Sequence, residues 1–173
     1  MTLPWRPANG SKGASAFPWP RATMKAVVFY EHGGPEVLRL VTDFPEPVMG
    51  PDDVRIRVRA TSLNHLDLWV RQGLPTLRLP LPHILGCDVA GEIAGVGDNV
   101  RDLEVGERVV VNPGLTCGEC EYCIQGEDPL CVEYRILGEH VNGGYAEFVV
   151  VPARNVARLP MEFPYEEAAA APL

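Results

Sequence analysis

Long apolar runs are missing from this chain of 173 residues, in which nothing approaches the ~18 consecutive apolar residues that a membrane-spanning helix requires. No apolar h-region follows Met1, so neither a secretory leader nor a membrane partner is supported, and a reducing, cytoplasmic setting is the expectation. Positive charge is also scarce. With 15 Lys and Arg against 23 Asp and Glu the formal net charge is -8, which argues against nucleic acid as a partner, because Lys and Arg displacing counterions drive phosphate binding. A complete dinucleotide fingerprint is absent too. Gly95-Val96-Gly97 offers a Gly-x-Gly, but Val100 fills the third glycine position and no helical pattern opens there, so the segment reads as a hairpin turn. Neither an internal repeat nor a βαβ alternation is found.

What the chain does hold is a cysteine quartet. Cys117, Cys120, Cys123 and Cys131 stand at the spacing Cys-x2-Cys-x2-Cys-x7-Cys. Four thiolates brought together by tight turns form a tetrahedral S4 site that suits zinc and closes every coordination position, so such a site holds structure and does no chemistry. A pair of disulfides is the competing reading, and the reducing setting favours metal over bridging. An iron-sulfur cluster ranks below zinc. With zinc, the lobe from Pro113 to Glu133 folds largely because the metal binds, a contribution of roughly 10 to 16 kcal/mol in small zinc peptides.

Punctuation by 17 Gly and 17 Pro fits short strands and turns, and 46% hydrophobic content over this length suits one sizeable core. Residues 1–23, with Pro4, Pro7, Pro18 and Pro20 and no hydrophobic period, read as a disordered extension. The pattern changes at Met24, where Met24 to Tyr30 reads as a strand ending at the turn signal Gly33-Gly34-Pro35. In Val54 to Ala60 apolar and basic residues alternate, so Val54, Ile56, Val58 and Ala60 face a core, while Arg55, Arg57 and Arg59 form a solvated face. A short helix follows, with Leu66, Trp69 and Val70 at helical spacing and Gly73 as its stop. Further strands are expected around Asp88 to Val96, Arg108 to Val111 and Tyr145 to Val151. Pro164 to Ala171 starts like a helix.

Taken together, the cysteine quartet, Gly86-Cys87-Asp88-Val89-Ala90-Gly91, the Gly106-Glu107-Arg108-Val109 entry, Gly143-Gly144-Tyr145-Ala146-Glu147 and the closing alanine run resemble the N-terminal catalytic domain of zinc-type medium-chain alcohol dehydrogenases and quinone reductases. The resemblance runs from Met24 to Leu173. It implies a mainly β fold, a GroES-like, partly open barrel with short helices, filling 24–163, with a structural-zinc lobe at 113–133. Residues 164–173 would start the helix leading to a Rossmann domain that binds NAD or NADP and lies beyond this chain.

Three positions decide what chemistry that kinship supports. The first catalytic zinc ligand of the alcohol dehydrogenases matches Asn64, and a neutral amide is a poor zinc ligand. The second, a histidine before a glutamate, matches Cys87, with Asp88 at the glutamate position; the third falls beyond Leu173. Leu66 stands where a hydroxyl would relay the proton, and leucine cannot. Asn64-x-x-Asp67 is instead similar to the zinc-independent quinone and enone reductases. Asn64, Asp67 and Asp88 are therefore the catalytic candidates, with the Asn64 amide placed to hold charge developing on a carbonyl oxygen. Each has a plainer reading: Asn64 as a helix cap, the two acids as partners of structural arginines, Cys87 as a small buried hydrophobe. His65 matches the basic position that meets the coenzyme pyrophosphate, against the plainer reading of a half-solvated first-turn histidine. His83 and His140 match no motif.

The resemblance thus implies the substrate-side domain of an NAD(P)-dependent oxidoreductase acting on a small carbonyl, alcohol, quinone or enone. Its metal would be one structural zinc at Cys117, Cys120, Cys123 and Cys131, without a catalytic zinc. This portion alone would be inactive, and the full-length enzyme would be a candidate homo-oligomer. A zinc-dependent alcohol dehydrogenase with a variant site at Cys87 and Asp88 is the first alternative. A non-enzymatic, zinc-stapled binding module is the second.

Overall fold

The computed structural model describes residues 22–75 and 77–172, so 1–21 of the expected extension lie outside the described residues. Branched and aromatic residues open the fold as β1 (Thr23–Phe29), which a turn through a short 3-10 helix returns as β2 (Arg39–Pro45). Next come β3 (Asp53–Thr61), α1 (His65–Gln72), β4 (His83–Ile84), β5 (Val89–Val96) and β6 (Arg108–Val111). The cysteine lobe holds β7 (Gly114–Leu115), α2 (Glu121–Ile124) and β8 (Arg135–Ile136). The chain then forms β9 (Phe148–Pro152), β10 (Val156–Arg158) and α3 (Tyr165–Ala169).

All strand pairs are antiparallel, in sheets ordered β2-β1-β4, β10-β6-β5-β3-β9 and β7-β8. The two larger sheets stay open and are laced together by the segment ahead of β9. Val27 N–H donates to Tyr145 O at 2.8 Å, Glu147 N–H to Lys25 O at 3.0 Å and Val58 N–H to Glu147 O at 3.0 Å. This is the mainly β, partly open GroES-like architecture expected, with three short α-helices among the described residues.

Period-two patterning sets the core. Val54 and Ile56 of β3 are fully buried with Val89, Ile93, Val109 and Val111, and Val58 packs partly buried against them. At roughly 25 cal/mol per Å2 of apolar surface, each such side chain contributes about 1.5 to 3 kcal/mol. Ala60 instead joins Ala90, Ala168 and Ala169, where small side chains let α3 lie close on the sheet. The arginine row is solvated as expected, with Arg57 and Arg59 exposed and Arg55 half-buried, and it is also partnered. Arg55 and Arg57 lie 5.3 and 5.0 Å from the Phe148 ring centre, while Arg55 pairs with Glu46 and Arg59 with Glu92, both at 2.9 Å. Phe148 gives the guanidinium groups an aromatic face to cover, which bare alternation does not reveal. Two strand expectations shift: β9 starts at Phe148 rather than Tyr145, because residues 145–147 are spent joining the sheets, and β5 starts at Val89.

Candidate functional site

Asn64 stands three residues after β3 and opens α1 as its N-cap. Its backbone is extended at φ -121° and ψ 159°, and it forms a capping box with Asp67, whose Oδ2 accepts the Asn64 N–H at 2.8 Å. The plain reading of Asn64 as a helix cap therefore holds. Its amide also has a second engagement: Nδ2 donates to Asp88 Oδ2 at 2.7 Å and lies 3.2 Å from both Cys87 Sγ and Ser62 Oγ. Ser62 Oγ in turn donates to Asp88 Oδ2 at 2.5 Å. The chain thus brings Asn64 together with Cys87 and Asp88, 23 and 24 residues on, into one cluster where β3, α1 and β5 meet.

Asp67 forms the layer beneath. It is 4% exposed, and its Oδ1 accepts the Gly86 N–H at 2.9 Å while Oδ2 also accepts the Tyr145 hydroxyl at 2.9 Å. Both acids are held by backbone amides, hydroxyls and an amide side chain, not by the arginines that the plainer sequence reading supplied. Asp88 is 1% exposed, and its Oδ1 is buried with no hydrogen-bond partner. Gly86 has φ +95°, and a Cβ there would stand 2.5 Å from the Tyr145 ring, so glycine is required for the tyrosine to reach Asp67.

Electrostatics follow from burial. The Cys87 thiol, 1% exposed, is pushed from 9.0 up to about 11 by desolvation, then by the Asp88 and Asp67 charges, so it stays neutral. Desolvation first and Asp67 second also raise the Tyr145 hydroxyl, which makes it a fixed donor and no acid. His65 is exposed, its ring 6.2 Å from that of Trp69, and the structure does not bring it into the cluster. Fully buried His83 shares Gly138 O at 3.0 Å through Nε2, and burial lowers its pKa. His140 Nδ1 accepts the Ile136 N–H at 3.1 Å. Ser62 and Tyr145 are the contributors that sequence reasoning missed. Tyr145 had one signal, its place after Gly143-Gly144, and Ser62 had none.

The second site is the lobe. The sulfurs of Cys117, Cys120, Cys123 and Cys131 all lie within 4.8 Å of one another, and among the described residues this is the sole group of three or more His, Cys, Asp or Glu able to hold a metal. All four are free thiols, so disulfide pairing does not hold in this structure. Backbone amides face the sulfurs: Cys117 N–H and Glu133 N–H donate to Cys131 Sγ at 3.3 and 3.4 Å, and Cys120 N–H donates to Cys117 Sγ at 3.4 Å. Such donors favour thiolate, the form that binds metal. The N–H groups of Cys123 and Val132 lower the Cys120 thiol to about 6, whereas burial holds Cys123 at about 11. Soft sulfur ligands at this separation fit zinc.

Comparison with known proteins decides the family. The alcohol dehydrogenase GroES-like domain matches residues 50–161. The chain belongs to this family. The GroES-like chain is 37% identical over 134 residues to an NAD-dependent alcohol dehydrogenase of Sulfolobus acidocaldarius, covering 75% of this chain and 38% of that protein. It is 38% identical to an L-threonine 3-dehydrogenase of Pyrococcus furiosus, covering 73% and 36%. Among solved structures, an NAD-dependent alcohol dehydrogenase superposes with TM-score 0.83 at 53% identity, covering 87% of this chain and 43% of that one. A thermostable alcohol dehydrogenase from Pyrobaculum aerophilum gives 0.78 at 37% identity, covering 87% and 44%. This GroES-like domain therefore spans well under half the length of these relatives.

Proposed function

We propose that this domain forms the substrate-facing part of an NAD(P)-dependent oxidoreductase whose substrate is a small carbonyl compound, quinone or enone, with zinc only in the cysteine lobe. The observation that carries the reading is the contact of Asn64 Nδ2 with Cys87 Sγ and Asp88 Oδ2. The first position matched to a zinc ligand thus holds an amide committed to Asp88, the second holds the buried thiol of Cys87, and the third falls beyond Leu173. A catalytic zinc needs three protein ligands and an open position, and an amide at the first of them is a poor ligand.

The coenzyme, when bound, supplies the hydride. The chain's own residues orient the substrate. The 2.7 Å bond to Asp88 fixes the plane of the Asn64 amide, while its 3.2 Å contact to a neutral thiol is readily exchanged. Asn64 thereby offers an N–H to a substrate oxygen that gains charge, and is the catalytic residue of this reading. Asp88 and Asp67 are positioning residues: Asp88 holds the amide of Asn64, and Asp67 holds its backbone. His65, in the first turn of α1, is assigned to the coenzyme phosphates.

The experiment is metal content on the complete protein, combined with NADH and NADPH oxidation against a quinone, an enone and a simple aldehyde. One zinc per chain, with turnover of quinone or enone that survives mild chelation, is expected. Turnover of aldehydes alone, lost with a second zinc, would overturn the assignment. The orphaned Asp88 Oδ1 favours a second reading, in which Asp88 and Cys87 supply two ligands to a variant catalytic zinc; two zinc ions per chain identify it.

A further inference from the structure

The corner between β9 and β10 reaches out to the cysteine lobe. Arg154 Nη2 donates to Thr116 O, and a Cβ built on Gly118, at φ +79°, would lie 2.9 Å from Arg154 Nη1. The guanidinium therefore spans the backbone on both sides of Cys117. Its neighbour Asn155 is 5% exposed and donates Nδ2 to Asn112 O at 3.0 Å and Gly114 O at 2.7 Å, at the foot of the same lobe.

Charge adds to the geometry. From Pro113 to Glu133 the lobe carries Glu119, Glu121, Glu127, Asp128 and Glu133 with no Lys or Arg, and Arg135 of β8 is the first basic residue that follows. Four thiolates also outweigh the charge of one Zn2+, so a loaded lobe becomes more negative still. Arg154 is a cation delivered to it from another part of the fold.

We propose that Arg154 is a positioning residue for the metal centre, holding the Cys117 turn in its ligating shape and offsetting the thiolate charge, with Asn155 anchoring the foot of the lobe. This rests on the reading of the four cysteines as a zinc site. Loss of a residue that orients a metal ligand typically costs about 10- to 100-fold in metal affinity.

The test uses the full chain loaded with zinc, and separately with Co(II). Arg154→Gln weakens zinc retention against a chelating dye by about 10- to 100-fold and moves the thiolate-to-cobalt charge-transfer band. Arg154→Lys, which keeps the charge and loses the planar fork, recovers part of the retention. Arg158→Gln removes the same charge from β10, where Arg158 Nε meets Glu107 Oε1 at 2.9 Å, and changes neither readout. Parental retention with an unmoved band in Arg154→Gln overturns the proposal. A parental chain that takes up neither zinc nor cobalt overturns the metal reading itself, a result visible before any variant is compared.

Discussion

The Tyr145 hydroxyl donates to Asp67 Oδ2 at 2.9 Å across 78 residues of chain, tying the segment that laces the two sheets to the first turn of α1. The same carboxylate fixes the backbones of Asn64 and Gly86. Tyr145→Phe should lower stability by about 1 to 2 kcal/mol, and Asp67→Ala by about 2 to 4 kcal/mol because it orphans buried donors. Urea denaturation measures both, and equal losses would remove Asp67 as the hub.

Gly86→Ala strains a φ of +95° and drives a methyl against the Tyr145 ring. The left-handed backbone alone costs about 1 to 2 kcal/mol. Adding Tyr145→Phe should give little relief, since the clash is with the ring carbons, whereas Tyr145→Ala should recover part of it in a double-mutant cycle.

Cys87 should be silent to thiol reagents at pH 8. Its pKa of about 11 keeps it protonated, whereas the lobe cysteines become reactive once a chelator removes their metal. Because the folded value exceeds the ordinary 9.0, the stability it contributes is full below pH 9.0 and is lost as pH rises through 11. Thiol titration with and without chelator checks this, and rapid labelling of Cys87 in the native chain contradicts the burial argument.

His83 gives the opposite slope. Burial lowers its pKa below 6.5, so the unfolded chain binds a proton that the folded chain refuses. Its contribution is complete above pH 6.5 and falls away on acidification toward the folded value. Denaturation midpoints from pH 7 to 5 should fall more steeply in the parent than in His83→Gln.

Chelation should loosen the lobe before the sheets. Hydrogen exchange is expected to rise first at the amides that face sulfur, Cys117, Cys120 and Glu133, while β3 and β5 keep their protection. Simultaneous loss in both regions would show that the lobe and sheets open as one unit.

Much of this was legible in the chain. Alternation in Val54 to Ala60 marked β3, and helical spacing with Gly73 marked α1, because burial of one face leaves a direct imprint on residue type. Cysteine spacing marked the lobe for the same local reason. β2 escaped because no residue of Arg39–Pro45 is fully buried, and the two that pack half-buried on the core, Val41 and Phe44, stand three apart, so its pairing with β1 leaves no period of two. The contacts of Ser62 with Asp88 and of Tyr145 with Asp67 escaped because hydrogen bonds between distant segments impose no period on either. Family kinship singled out Asn64, Asp67 and Asp88, yet only geometry reveals that the Asn64 amide is already engaged.

Residues 145–147 have two duties: they stitch β1 to β3, and they deliver the tyrosine that steadies Asp67. The seam between the sheets and the support beneath the Asn64 cluster are consequently one structural joint. Any fluctuation that parts the sheets along this line must also unseat the hydroxyl under Asn64, so resilience of the scaffold and order of that cluster cannot be tuned separately there.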